Sequence, residues 1–169
     1  MKTIYFIGTQ GFVYLCEMKG FLFKIVSFIF SFFTKKLRGK ITDKPSGISI
    51  LLPKGWAAID IEQGSFLIAA DKEIGMLVFT ITHLAIVEKS GKFINPYTGV
   101  EEEIESVEEG NFRSYIIEGP GEREWAKVWN TETETYLIRL MYMCSKTNKE
   151  KEMETILQII NSVEEGSQA

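Results

Sequence analysis

Alternation of apolar and polar residues predicts a series of short β-strands between residues 47 and 144. The pattern is clearest in GISILLPKGW, Gly47 to Trp56, where a short strand is followed by a Pro-Lys-Gly turn and an aromatic residue that begins the next strand. The predicted strands are Ile48 to Leu52, Trp56 to Ile61, Ser65 to Ala70, Gly75 to Leu84, Asn111 to Glu118, Arg123 to Asn130 and Thr135 to Cys144. Because tight polar turns separate neighbouring strands, we predict an antiparallel sheet.

An amphipathic helix is predicted after the last strand, over Thr147 to Val163, with Thr147 or Asn148 as its cap. Its apolar residues form a single stripe, which must pack on the sheet to be buried. The acidic stretch VEEEIESVEE, Val100 to Glu109, fits either a short helix or a solvated acidic loop.

Residues 1–40 form a leader that is apolar and basic. They contain seven Lys or Arg residues and one acidic residue, whereas residues 41–169 contain 12 basic and 22 acidic residues. Each apolar run is shorter than the ~20 residues of a straight bilayer-spanning helix. We therefore predict an apolar N-terminal helix that is tilted or lies in the membrane surface. The residues predicted to associate with the membrane are Phe21, Phe23, Lys24, Phe28, Phe30, Phe33, Lys35 and Lys36.

The basic cluster after the second apolar run favours an uncleaved anchor at the inner membrane, with the domain on the cytoplasmic side. A second interpretation is an export signal that sends the domain to the envelope. A third is a helix packed on its own domain, or a leader that is not native. Met1 and Met18 both fit as the start. The predicted organisation is a leader at 1–40, a linker at 41–46, a folded domain at 47–164 and a tail at 165–169.

Composition excludes several kinds of chemistry. A domain this acidic repels phosphate, so no nucleic acid partner is expected. Two cysteines, Cys16 and Cys144, exclude a disulfide framework and a Cys-rich metal site. His83 is the only histidine, which excludes a His-rich zinc site. The sequence has no P-loop, dinucleotide-binding or nucleophile-elbow motif. We therefore predict no cofactor, no metal and no catalytic residue.

The acidic run is one candidate for partner binding, at Glu101, Glu102 and Glu103. Its charge suits a basic protein partner, but it lacks the ligand spacing of a calcium loop. A solvated acidic face is the alternative interpretation.

Trp125 and Trp129 are the other candidates for partner binding. They lie four residues apart on one predicted strand and therefore share a face, with Lys127 between them. They form either an exposed aromatic platform or part of the core. In the core interpretation, Ala126 and Val128 face outward or toward a second layer.

The motif I-x-I-x-x-P-x-G-W, with Pro53, Gly55 and Trp56, and the closing helix that ends near Ser162-Val163, resemble the PsbP-like fold. That fold is shared by an extrinsic photosystem II subunit, a Ran-GTPase release factor and several groups of bacterial proteins of unknown function. The resemblance implies an α+β fold with an antiparallel β-sheet of about six to seven strands flanked by helices. It brings no catalytic motif, and implies a binding or scaffold module.

These observations predict a membrane-associated protein-binding module without catalytic activity. One alternative is an immunity or chaperone-type protein that neutralises a basic toxin or effector. The other is an enzyme with an unrecognised site, for which a deep polar pocket around His83 or Glu118 would be the evidence.

Overall fold

The computed structural model describes residues 36–71, 74–86, 93–95, 97–103 and 105–166. The predicted N-terminal helix, and every predicted membrane-associating residue except Lys36, lie outside these residues. Lys36 is exposed.

The strands are β1 (Lys40–Thr42), β2 (Ser49–Leu51), β3 (Trp56–Glu62), β4 (Ser65–Ala70), β5 (Gly75–His83), β6 (Phe93–Ile94), β7 (Glu101–Glu102), β8 (Val107–Glu109), β9 (Phe112–Glu118), β10 (Trp125–Glu132) and β11 (Tyr136–Cys144), and the α-helix is α1 (Met153–Asn161). Short 3-10 turns occupy Leu84–Ile86 and Lys146–Asn148.

Seven strands form one sheet in the order β3-β4-β5-β11-β10-β9-β8. All neighbours are antiparallel, which confirms the predicted fold class. β1 pairs with β2, and β6 with β7, in two further two-stranded sheets. β5 pairs with β11, the last strand in chain order, rather than with a strand that follows it closely. The early strands β3 to β5 and the late strands β8 to β11 therefore meet in the centre of the sheet.

One face of the sheet, here called the helix face, is covered by α1 and by the β1–β2 pair, and it holds the main core. Its largest fully buried side chains include Trp129, Tyr142, Phe79, Ile50 and Ile156. Burial of each such side chain contributes roughly 1.5–3 kcal/mol. On the opposite face, Ala126 and Val128 pack with Ile117 in a smaller cluster.

The predicted linker, Ile41 to Ser46, is corrected by the structure, because these residues belong to the folded domain. Ile41 is 5% exposed and lies in the main core. The turn that follows is closed by the buried Asp43 carboxylate, whose Oδ2 accepts hydrogen bonds from the Ser46 amide at 3.0 Å and the Ser46 hydroxyl at 2.6 Å. Further upstream, Leu37 exchanges backbone hydrogen bonds with Ala58 of β3.

The helix begins later than predicted, at Met153 rather than Thr147. Residue Glu152 precedes it, and its carboxylate turns inward to accept hydrogen bonds from the Tyr142 hydroxyl and the Gly75 amide. The prediction failed because spacing alone does not reveal this inward-facing acid. After the helix, Glu164 pairs with Ser49 of β2.

The acidic stretch Val100 to Glu109 is neither a helix nor a simple loop. Its ends form β7 and β8. Val107 and Glu109 point to one side and pair with β9 across a two-residue turn, which gives this segment strand geometry.

Candidate functional site

The hairpin of β8 and β9 forms one edge of the seven-stranded sheet. Gly110 and Asn111 make its turn, and Gly110 has φ +62°, a conformation in which glycine is unstrained. Within the part of the chain that the structure describes, no strand pairs with the outer side of β8. The tight turn therefore fixes a short edge strand beside β9.

A groove of about 450 Å³ runs along this edge on the helix face. Its walls include Glu103, Glu105, Val107, Glu109, Ile116 and Lys127. The register aligns Val107 with Ser114, and Ile116 with Lys127, so the strands β8, β9 and β10 each contribute to it.

Glu109, Lys127 and Trp129 form a closed polar unit beside the groove. Lys127 Nζ donates to Glu109 Oε1 at 2.6 Å, and Trp129 Nε1 donates to Glu109 Oε2 at 2.7 Å. The Lys127 ammonium also lies 5.0 Å from the centre of the Trp129 ring, within the range of a cation–π contact. Partial burial acts to raise the pKa of Glu109, but the hydrogen bonds from Lys127 and Trp129 outweigh it and hold that pKa below its usual value.

Two large apolar side chains are exposed at this groove. Val107 is 61% exposed and Ile116 is 54% exposed. Both point to the helix face, at the part of that face farthest from β3. Neighbouring exposed apolar residues mark interaction surfaces more often than isolated ones do.

The rim of the groove is negatively charged. Glu103 and Glu105 are exposed, and neither carboxylate has an ion-pair or hydrogen-bond partner in the described ranges. Among the described residues that line the groove, Lys127 is the one cation, and Glu109 already neutralises it. The free charge of the groove is therefore acidic.

The predicted partner-binding residues divide between groove and core. Glu103 lines the groove, and Glu101 and Glu102 form the neighbouring strand β7. Trp125 and Trp129 are 3% and 0% exposed in the main core, so they form no exposed aromatic platform. The platform alternative fails because α1 and the β1–β2 pair cover most of the face to which both rings point.

Val107 and Ile116 were not predicted from the sequence as site residues. Two signals in the sequence could have found them. Val107 is an isolated apolar residue in an acidic run, and Ile116-Ile117 are consecutive apolar residues in an alternating strand, so one of the pair must leave the core.

His83, the histidine considered for an enzyme site, is exposed at the end of β5. Its Nδ1 accepts a hydrogen bond from the Ala85 amide at 3.2 Å, and its ring meets Tyr136 edge-on. Over the described ranges, no cluster of three or more His, Cys, Asp or Glu side chains is placed to hold a metal ion. None of the helices in the described part of the chain is long and apolar enough to cross a bilayer.

No protein-family model matches the chain. No curated protein matches it either. It is similar in structure to a protein from Bacteroides thetaiotaomicron VPI-5482, with 18% identity and a TM-score of 0.48, over 78% of this chain and 50% of that one. The chain thus spans half the length of the Bacteroides protein. It is also similar to the cyanobacterial PsbP (CyanoP) of Synechocystis sp. PCC 6803, with 14% identity and a TM-score of 0.47, over 75% of this chain and 91% of that one. PsbP is the family whose fold the sequence motifs resemble.

Proposed function

We propose that this chain is a non-catalytic module that binds a protein partner at the groove along the β8 edge of the sheet. The observation that carries the proposal is the exposure of Val107 and Ile116 beside unpartnered carboxylates at an open sheet edge. A protein interface combines such an apolar centre with a polar rim. Burying these two side chains against a partner would contribute a few kcal/mol, about 1.5–3 for each if burial is complete.

We further propose that the leader tethers the domain to a membrane. Its excess of basic residues and its apolar runs, together with Lys35 and Lys36, support attraction to an anionic lipid surface. Arg38 and Lys40 pair instead with Asp71 and Glu164 of the folded domain. By the positive-inside tendency, the domain lies on the cytoplasmic side of the inner membrane, and export to the envelope is the competing location.

A second candidate function is an immunity-type protein that neutralises a basic toxin. Residues 41–169 carry 22 acidic and 12 basic residues, and the groove rim contributes unpartnered acids to that excess. Such a surface attracts a basic partner and accelerates their encounter. Both functions require the same groove and differ in the partner.

Site-specific photo-crosslinking of the full-length chain in its own cells tests the groove. A benzophenone amino acid replaces Val107 or Ile116, and a third variant carries it at Ile61 as the control. Ile61 is also an exposed apolar residue, but it lies on β3 at the opposite edge of the sheet. We expect one discrete adduct from both groove positions and none from Ile61. Absence of an adduct at the groove, or the same adduct at all three positions, would contradict the proposal.

Membrane tethering is tested by fractionating cells that express either the full chain or a chain beginning at Lys36. The truncation keeps Leu37 because its backbone pairs with Ala58. We expect the full chain in the membrane pellet and the shortened chain in the supernatant. Equal distribution of the two would remove the membrane part of the proposal.

A further inference from the structure

The two edges of the sheet differ in how far their backbone groups are already paired. At the β3 edge, the Leu37 amide donates to the Ala58 carbonyl at 2.8 Å, and the Ala58 amide donates back at 2.9 Å. At the β8 edge, none of the described strands makes such a pairing. An edge strand directs the N–H and C=O groups of every second residue outward, which makes β8 a template for one more strand.

The charge of this edge decides which kind of strand can add to it. Glu103 and Glu105 precede β8 and have no partner in the described ranges, and Glu108 and Glu109 lie within it. A second copy of the chain paired through β8 would bring glutamates close to glutamates, which is destabilising in a sheet. A cationic strand would instead meet complementary charge.

We propose that the groove receives an extended cationic segment of the partner, which adds to β8 as an eighth strand of the sheet. This inference rests on the proposed function, because it takes the groove as the site of partner binding. It adds the conformation and the charge of the bound segment.

The side chains of an added strand would alternate between the two faces of the sheet. On the helix face, apolar side chains would pack on Val107 and extend toward Ile116 on the next strand, whose exposed surface is otherwise in water. Lys or Arg side chains at other positions of that same face would reach Glu103 and Glu105, which line the groove there. Lys127 would not repel them strongly, because its ammonium is paired with Glu109 at 2.6 Å. Main-chain pairing would supply affinity, and the side-chain pattern would supply specificity.

Binding of synthetic peptides to the full-length chain tests the inference. The probe, called the Val-Lys peptide, is a fluorescein-labelled peptide of four Val-Thr-Lys-Thr repeats, in which Val and Lys alternate along one face of the strand. Its binding is measured by fluorescence anisotropy at low salt. Two matched peptides accompany it, one with Glu in place of every Lys and one with two central Val replaced by Pro. Only the Val-Lys peptide is expected to bind, because Pro removes a backbone donor and Glu repeats the charge of the groove.

Variants of the chain locate the binding. Glu103→Gln with Glu105→Gln is expected to weaken the Val-Lys peptide about fivefold, since each exposed ion pair contributes up to about 1 kcal/mol. The control is Asp60→Asn with Glu62→Gln. These two acids have the same spacing, are also exposed and lie on the edge strand β3. We expect that control to leave the affinity unchanged.

Hydrogen exchange supplies a second readout, in which the peptide is expected to slow exchange of backbone amides in β8 and not those in β3. Equal binding of the Pro peptide, or unprotected β8 amides, would overturn strand addition. The cationic partner would be overturned by equal or tighter binding of the Glu peptide, by no binding of the Val-Lys peptide, or by equal effects of the two double variants.

If adducts at Val107 and Ile116 persist in those cases, the groove remains a binding site and the proposed function stands. Loss of both peptide binding and adducts would remove both proposals.

Discussion

The Tyr142 hydroxyl donates a hydrogen bond of 2.8 Å to Oε2 of Glu152, and so joins the end of β11 to the start of α1. The same oxygen accepts a hydrogen bond of 3.1 Å from the Gly75 amide of β5. Burial raises the pKa of Tyr142 far above its usual value, and its hydrogen bond to Glu152 adds to the effect. The raised pKa keeps the phenol protonated, as its donation to the Glu152 carboxylate requires.

We expect Tyr142→Phe to lower the free energy of unfolding by about 1–3 kcal/mol, because it leaves a buried carboxylate with one donor fewer. Urea denaturation of the full chain measures the change. Tyr136→Phe is the control on the same strand, because its hydroxyl has no hydrogen-bond partner in the described part of the chain, and it should change stability by less than about 0.5 kcal/mol. Equal losses for the two variants would show that the hydroxyl of Tyr142 is not the anchor of the helix.

Trp125 and Trp129, two of the tryptophans in the main core, differ in one hydrogen bond. Trp129 Nε1 donates to Glu109, whereas Trp125 Nε1 is buried without a partner among the described residues. Replacement by Phe removes similar ring volume at both positions. Trp129→Phe is therefore expected to destabilise the protein by about 1–2 kcal/mol more than Trp125→Phe, since only it breaks a hydrogen bond to a charged group. Thermal and urea unfolding check the order, and a larger loss for Trp125→Phe would contradict it.

Glu109→Gln tests the ion pair beside the groove. The folded-state pKa of Glu109 lies below its unfolded value near 4.5, so its charge stabilises the fold fully above that value. We expect the variant to lose about 1 kcal/mol at pH 7, a figure reduced for partial exposure. The gap between variant and wild type should close as the pH falls from about 4.5 through the lowered pKa.

Glu108→Gln is the matched control on the same strand. Glu108 pairs with Arg113 at 3.2 Å, but the two side chains are 70% and 66% exposed. Its effect should stay within about 0.5 kcal/mol at pH 7. A constant difference between Glu109→Gln and wild type across the acid range would refute the role of the Glu109 charge.

Glycine is required at position 64 because of its backbone conformation and because there is no room for a side chain there. It has φ +76°, and a Cβ there would lie 2.7 Å from the Ile81 carbonyl oxygen. Gly110 has a similar φ of +62° and no atom within 4 Å of such a Cβ. We expect Gly110→Ala to cost about 1 kcal/mol for the backbone alone, and Gly64→Ala to cost about 2–4 because β5 must also move. Denaturation curves that coincide for the two variants would exclude the steric contribution.

The antiparallel sheet was predictable because its signal is local. Alternation fixes which residues of a strand share a face, and tight turns fix the direction of the next strand. The strand Ser65 to Ala70 was predicted with its observed bounds. The sequence did not reveal which face of β10 is covered, because the cover comes from β1, β2 and α1, which are remote in sequence. Both positions for Trp125 and Trp129 therefore remained open until the structure placed them.

The groove was predictable only in part. Charge pointed to the acidic run, and Glu103 does line the groove. The contribution of Ile116 depends on its register beside Lys127, which arises from pairing between β9 and β10. The start of α1 was missed for a similar reason, because the role of Glu152 depends on Tyr142, ten residues earlier, and on Gly75, far upstream.

The bridge between Ser49 and Glu164 has a consequence for synthesis on the ribosome. The Ser49 amide donates to the Glu164 carbonyl and the Glu164 amide donates back to the Ser49 carbonyl, each at 2.9 Å. During synthesis β2 therefore cannot form this pairing until a residue more than a hundred positions downstream has been made. A nascent chain that has emerged only through β11 contains every strand of the seven-stranded sheet, but the apolar helix face of that sheet still lacks α1. Closing so distant a contact is slow, and meanwhile the uncovered surface invites aggregation. We therefore expect this domain to complete its folding late in translation and to depend on chaperones until α1 has emerged.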